Sequence, residues 1–269
     1  MKKIFIISII VTIVLSFTLF VKCTKELDES TPEEVLATVL AGGSSNVLEN
    51  YILLRSEQTV NSFSFDSSFE TTAHAIFKDG SIYKNAGNLM INSRQITPQS
   101  NNFYDFSYTN VNFAEGKSLL GTSINLGVTG SAEVESFSRS AYVPTQIITT
   151  NLQLPSSTVN RNQNLTLRWN PDPNSLWGKV VIQISYYTGL SQLGNPSLPH
   201  SISPLLYTVT DNGAFTIPST DLQSFPATSY IGISIGRGTE NNITLPNTRR
   251  LIYYFTIVDA KTIPLLVTQ

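Results

Sequence analysis

Residues 63–77 read Phe-Ser-Phe-Asp-Ser-Ser-Phe-Glu-Thr-Thr-Ala-His-Ala-Ile-Phe, and their alternation decides the fold class. Phe63, Phe65, Phe69, Thr71, Ala73, Ala75 and Phe77 share one parity, while Asp66, Glu70, Thr72 and His74 take the other. In an extended chain successive side chains point to opposite faces, so this period of two sets one face against a core and the other in water. Lys78-Asp79-Gly80-Ser81 follows, a turn signal whose glycine accepts positive φ. The same period returns further on, at Leu89 and Ile91, at Tyr104, Phe106 and Tyr108, and at Ile124, Leu126, Val128, Ala132 and Val134. No long helical period follows residue 50. Short strands punctuated by turn residues predict an all-β chain of the sandwich or barrel type.

Tyr142-Val143-Pro144-Thr145 marks a boundary, and a second strand series begins beyond it. Leu165, Leu167 and Trp169 alternate into Pro171, Val180, Ile182, Ile184 and Tyr186 alternate next, and Leu222, Pro226, Thr228 and Tyr230 come later. These residues resemble the B strand, the C strand and the tyrosine corner of a fibronectin type III or related immunoglobulin-like domain, over roughly residues 145–262. The leucine-to-proline gap is longer than that family's, and Ile231, Ile233 and Ile235 fall one step out of its usual phase. The resemblance implies architecture; such domains are spacers, adhesion modules and ligand binders. The expected organisation is therefore two β-sandwich domains, residues 46–143 and residues 144–269.

The other end of the chain speaks to location. Residues 4–21 are apolar and uncharged, led by Lys2 and Lys3 and closed by Cys23, the only cysteine. The run resembles a bacterial lipoprotein signal peptide, in which the cysteine becomes the lipidated first residue. Lys22 departs from the small residue of the usual lipobox, and Lys25, Glu26, Asp28 and Glu29 match the charged stretch of the looser Bacteroidetes type. The resemblance implies removal of residues 1–22 and acylation of Cys23, anchoring the chain to the outer membrane on its surface or periplasmic face. An uncleaved helix is the alternative, because the run lies between the about 7–15 residues of a signal core and the about 17–25 of a span. In both readings Lys2 and Lys3 stay inside and residues from 24 onward leave the cytoplasm. Thr31-Pro32-Glu33-Glu34 then opens a short helix that Gly42-Gly43 closes, making residues 23–45 a linker.

Composition narrows the function. The 269 residues are 41% hydrophobic and 13% charged, enough apolar material for a core and little charge. With a single cysteine there is no disulfide framework in the exported part. Net charge is −2 and no basic patch occurs, so nucleic acid is not an expected partner.

Several constellations imitate chemistry. Gly232-Ile233-Ser234-Ile235-Gly236 matches the nucleophile elbow formally, but no histidine follows His200 and the isoleucine alternation reads as a strand. His74 falls on the polar parity of its strand, and His200 in a proline-rich loop. Asn170, Asp172 and Asn174 have the odd spacing of calcium ligands, yet Pro171 and Pro173 stiffen the segment and Val181 stands where the bidentate glutamate is needed, so a turn is expected and no metal. Glu133 and Glu135 read as the wet side of a strand rather than a catalytic pair. Tyr104, Phe106 and Tyr108, interleaved with Asn101, Asn102, Asp105 and Asn112, read either as a buried strand face or as ligand-contact aromatics of a glycan platform.

The expected function is a non-enzymatic cell-envelope lipoprotein without cofactor, acting by binding or adhesion, with the membrane as partner through its lipid and a glycan or envelope protein as the second. Rivals are a surface glycan-binding lipoprotein, a structural component of an envelope assembly, and a hydrolase with an unrecognised site.

Overall fold

The computed structural model describes residues 50–60, 67–109, 112–151, 158–187, 204–244, 250–259 and 265–268, all within the unit Pro32–Gln269. Cys23, the helix expected after Thr31, Phe63, Phe65 and His200 lie outside the described residues. The chain is all-β in character, with two short helices among the described residues.

The alternation that decides the fold is carried by an antiparallel pair, β1 (Tyr51–Val60) and β2 (Ser67–Ile76). Thr71, Ala73, Ala75 and Phe77 are buried, whereas Thr72, His74 and Ile76 are only partly covered. The expected turn follows, with Gly80 at φ 61° between β3 (Lys78–Asp79) and β4 (Ile82–Tyr83). Next come β5 (Leu89–Ile91), β6 (Arg94–Ile96), β7 (Tyr104–Ser107), the helix α1 (Phe113–Ser118), β8 (Ser123–Val128) and β9 (Phe137–Tyr142). β7 lies on the far side of β2, which puts Ala73 and Ala75 between Leu54 and Ile52 of β1 and Phe106 and Tyr104 of β7. Large side chains thus flank small ones, and rings fill the space that the alanines leave. β6, β5, β8 and β9 make a four-stranded antiparallel sheet, whose Leu89, Ile91, Ile124, Leu126 and Val128 join Ile52, Leu54 and Tyr104 in one buried cluster.

One expectation is corrected here. The sequence carries the strand of Ile124 on to Val134, but β8 ends at Val128 and residues 129–136 form a loop. Gly130 takes φ 83°, which breaks the extended run, and Ser131 Oγ turns back to donate to Asn85 O at 2.6 Å. Glu133 and Glu135 are therefore loop residues, with Val134 alone folded into the core.

The second series comprises β10 (Thr158–Asn160), β11 (Leu165–Arg168), β12 (Lys179–Tyr187), β13 (Leu205–Thr210), β14 (Ala214–Ile217), the helical turn α2 (Ser219–Leu222), β15 (Tyr230–Thr244), β16 (Arg250–Asp259) and β17 (Leu265–Thr268). β11 pairs with β14, and β12 runs antiparallel between β13 and β15. The other edge of β15 takes β17 at its start and β16 along the rest, and β10 lies parallel on β17. A second buried cluster draws Leu167, Trp169 and Ile217 from one sheet and Ile182, Ile184, Ile231, Ile233 and Ile235 from the other. Tyr230 opens β15 half-buried on the parity opposite to the three isoleucines, so the corner departs from the resemblance. Its described ties are made by buried Leu222 and Phe225 and by Thr228 N–H, which donates to Val267 O at 2.8 Å.

One connection crosses the chain from end to end. β16 pairs in parallel with β1, from Tyr51 opposite Ile252 to Glu57 opposite Val258, so strands backing the two clusters belong to one nine-stranded sheet.

The close approach of β8 and β9 fixes one glycine. A Cβ on Gly127 would lie 2.1 Å from Phe137 O, whereas one on Gly80 meets nothing within 4 Å. Gly127→Ala is expected to cost about 3 kcal/mol because backbone must move, and Gly80→Ala about 1 kcal/mol from its left-handed conformation alone. Urea unfolding of both variants checks the order, and equal losses would contradict the strand spacing.

Candidate functional site

The largest fully buried side chain in the described residues is Arg237, on β15. It continues the inward parity of Ile231, Ile233 and Ile235, so the strand that fills the second core ends by pushing a guanidinium into protein. A bare charge there would cost several kcal/mol, and the surroundings meet it with acceptors. Nε lies 2.8 Å from Asp211 Oδ2, and Nη2 donates to Asp211 Oδ1 at 3.1 Å and to Asn170 O at 2.5 Å. Nη1 donates to Thr145 O at 3.1 Å and to Thr145 Oγ1 at 2.7 Å. Thr145 sits between Val143, which ends the first cluster, and Ile147, which begins the second.

Asp211, whose side chain is 1% exposed, comes from the turn between β13 and β14. Besides Arg237 it accepts Trp169 Nε1–H at 2.8 Å and the N–H of Asp172 at 3.2 Å. Asp172 in turn accepts the Tyr142 hydroxyl at 3.0 and 3.1 Å, Thr145 N–H at 2.8 Å and Asn174 N–H at 3.0 Å. Burial first, and then the bond to Asp172, push the Tyr142 phenol above its ordinary range. The segment that the sequence likens to a calcium loop is thus a turn whose carboxylate is occupied by protein donors. Among the described residues no group of three or more His, Cys, Asp or Glu converges on a metal position.

The aromatic stretch divides between the two readings open to it. Tyr104 and Tyr108 are each 1% exposed and belong to the first core, so neither offers a ring face to a ligand; Phe106 is partly buried against the same cluster. This corrects the glycan-platform reading of Tyr104 and Tyr108, and the reason is the small residues beside them, Ala75 of β2 for Tyr104 and Thr71 and Gly116 for Tyr108. Tyr104 has a second use: its hydroxyl accepts Ala86 N–H at 2.9 Å and donates to Gly87 O at 2.7 Å, tying residues 86 and 87 to β7. The Tyr108 hydroxyl is buried and finds no partner among the described residues. Burial, aided by Glu115, pushes it up to about 12. Near it Arg94 is gripped by both oxygens of Glu115 and lies 5.4 Å over the Phe106 ring. Phe113, 38% exposed, meets Phe69 edge-on at 5.6 Å.

The remaining sequence motifs are not brought together. Ser234 is mid-strand in β15, opposite Gln183 of β12, with no strand-to-helix turn. His74 faces Asp105 at 3.2 Å on the partly exposed side of β2. Glu133 accepts Asn85 N–H at 2.8 Å and lies 3.6 Å from Lys84 Nζ. Sequence reasoning missed Arg237 and Asp211, though the parity of 231, 233, 235 and 237 carried the signal. No protein-family model matches the chain, and comparison with curated proteins finds no match.

The two buried tyrosines give opposite responses to loss of their hydroxyls. Tyr104→Phe removes two bonds and is expected to cost about 1–3 kcal/mol, while Tyr108→Phe removes an unpaired group and is expected to be neutral or stabilising by about 1 kcal/mol. Because the folded Tyr108 titrates near 12 and an unfolded tyrosine near about 10, its contribution is full below about pH 10 and is lost as pH rises toward 12. Denaturant unfolding at neutral and at alkaline pH should find a shallower alkaline decline in Tyr108→Phe. A larger neutral loss for Tyr108→Phe than for Tyr104→Phe would contradict this assignment.

Proposed function

We propose that the chain is a non-enzymatic lipoprotein of the cell envelope, attached through Cys23 and built of two immunoglobulin-like β-sandwich domains, residues 46–143 and 144–269, that serve binding or adhesion. The pairing in the second half supports the architecture: the antiparallel pair β11–β14 and strands of the mixed sheet share one core, and the first strand of this half runs parallel to its last. The observation that carries the functional reading is the use made of the buried polar groups. Arg237, Asp211 and Asp172 hold loops and the connection between the cores, which suits a module that presents a rigid surface. The Bacteroidetes-type signal and an outer-membrane location rest on the sequence around Cys23.

A second reading, glycan capture, is favoured by one observation. Phe113 presents part of its ring to solvent next to Asn112, whose amide oxygen accepts Arg94 Nη2–H at 3.3 Å. An apolar face beside oriented amides and charges is the chemistry that grips a sugar ring.

Protease treatment of intact cells, with Cys23→Ala run alongside, tests the main reading. Wild type is expected in the membrane fraction and to be cleaved on whole cells, and Cys23→Ala to be released from the membrane. A Cys23→Ala protein that stays in the membrane would replace the lipid by an uncleaved helix, and protection until the outer membrane is opened would end the adhesion reading. Phe113→Ala is expected to weaken retention on polysaccharide gels only if the glycan reading holds.

A further inference from the structure

Asp211-Asn212-Gly213 forms the turn between β13 and β14, and Asn212 is the one asparagine in the sequence that precedes a glycine. The glycine is structurally enforced. Gly213 takes φ 86°, and a Cβ on it would lie 2.9 Å from Trp169 O and 3.2 Å from Pro171 Cδ. Its carbonyl accepts Trp169 N–H at 3.0 Å, while its own N–H donates to nothing among the described residues. Asn212 is exposed, its N–H is held by Thr210 O at 2.9 Å, and its side-chain Oδ1 accepts Ala214 N–H at 3.1 Å.

We propose that this turn is a self-modification site at which Asn212 cyclises with the Gly213 backbone nitrogen and is converted to aspartate and isoaspartate. The Gly213 nitrogen, having given up its proton, attacks Asn212 Cγ. The tetrahedral species collapses by expelling the side-chain nitrogen, protonated, as ammonia, and a five-membered succinimide remains. Water then adds to one of the two ring carbonyls: opening at one bond gives aspartate, at the other isoaspartate. No oxidant or reductant is involved. The Ala214 N–H already stands on the oxygen where negative charge develops in the attack, in the manner of an oxyanion donor. With no side chain on residue 213, the attacking nitrogen is not screened.

The position gives the reaction a consequence. Isoaspartate routes the main chain through Cβ and lengthens it by one methylene between Asp211, whose carboxylate holds Arg237, and Gly213, whose carbonyl holds Trp169. The modified turn cannot keep both ties at their present spacing, so the Arg237 cluster loosens.

Full-length protein is incubated in mildly alkaline buffer, as folded and as urea-unfolded samples, then digested and analysed by mass spectrometry with isoaspartate detected by enzymatic methylation. Asn212→Gln and Asn212→Asp run in parallel. The expected result is that the peptide holding residue 212 gains the mass difference between an acid and an amide ahead of every other asparagine in the folded sample, and that Asn212→Gln removes the change. The isoaspartate form should also melt below Asn212→Asp, which has the same charge on a normal backbone. Conversion in the unfolded sample without conversion in the folded one would overturn the proposal, as would earlier conversion elsewhere. Equal melting of the isoaspartate form and Asn212→Asp would overturn the proposed loosening.

Discussion

A guanidinium placed where the isoleucine face of a strand continues is the constraint on which the rest of this structure depends. Arg237 cannot be left unpaired in the second core, and the acceptors that satisfy it come from three separate stretches: Thr145 at the junction of the halves, Asn170 after β11, and Asp211 before β14. Each stretch is therefore positioned by the same charge. Removing one partner of such a group leaves the other buried and uncompensated, at a cost of about 3–5 kcal/mol, which is why the cluster behaves as one unit. Its geometry also explains the route of the connecting segment. Residues 145–151 run beside residues 166–172, with Ile148 N–H donating to Asn170 Oδ1 at 2.6 Å, Asn170 Nδ2–H to Gln146 O at 2.9 Å, and Thr150 N–H to Arg168 O at 3.0 Å.

The first half solves a similar problem with neutral groups. Its core is closed by loops, and Tyr104 secures one of them from within by placing a hydroxyl between Ala86 N–H and Gly87 O. The loop after β8 answers from the other side, with Gly130 N–H donating to Ala86 O at 3.0 Å and Thr129 N–H to Asn88 O at 2.9 Å. Polar atoms are thus spent on loop placement in both halves. The groups left toward solvent on β9, Ser138, Arg139 and Ser140, are polar.

What was legible in the sequence follows the range of the interaction. The period of two from Thr71 to Phe77 is local, and burial of that parity followed directly. Asp172 was legible as a turn because prolines flank it on both sides. The end of β8 was not, since Val134 kept the inward phase while Gly130 broke the extended backbone between. Alternation alone left Tyr104, Phe106 and Tyr108 undecided, because a core face and a ligand platform share that pattern. The deciding fact, Ala75 and Ala73 of β2 opposite Tyr104 and Phe106, depends on pairing. The parallel register of β1 with β16 joins residues about two hundred positions apart, and no local propensity encodes it. Arg237 was the clearest missed signal: a charge on a core parity announces a buried partner, though not its identity.

Amide hydrogen exchange at the junction tests the central claim most directly. Thr145 and Ile148 donate to Asp172 and Asn170, so in the wild-type protein their amides should exchange as slowly as those of the core strands β8 and β12, and in Arg237→Met they should lose protection while β8 keeps its own. Rapid exchange of Thr145 and Ile148 in the wild type would mean that the Arg237 cluster does not hold the connecting segment, and would contradict the account.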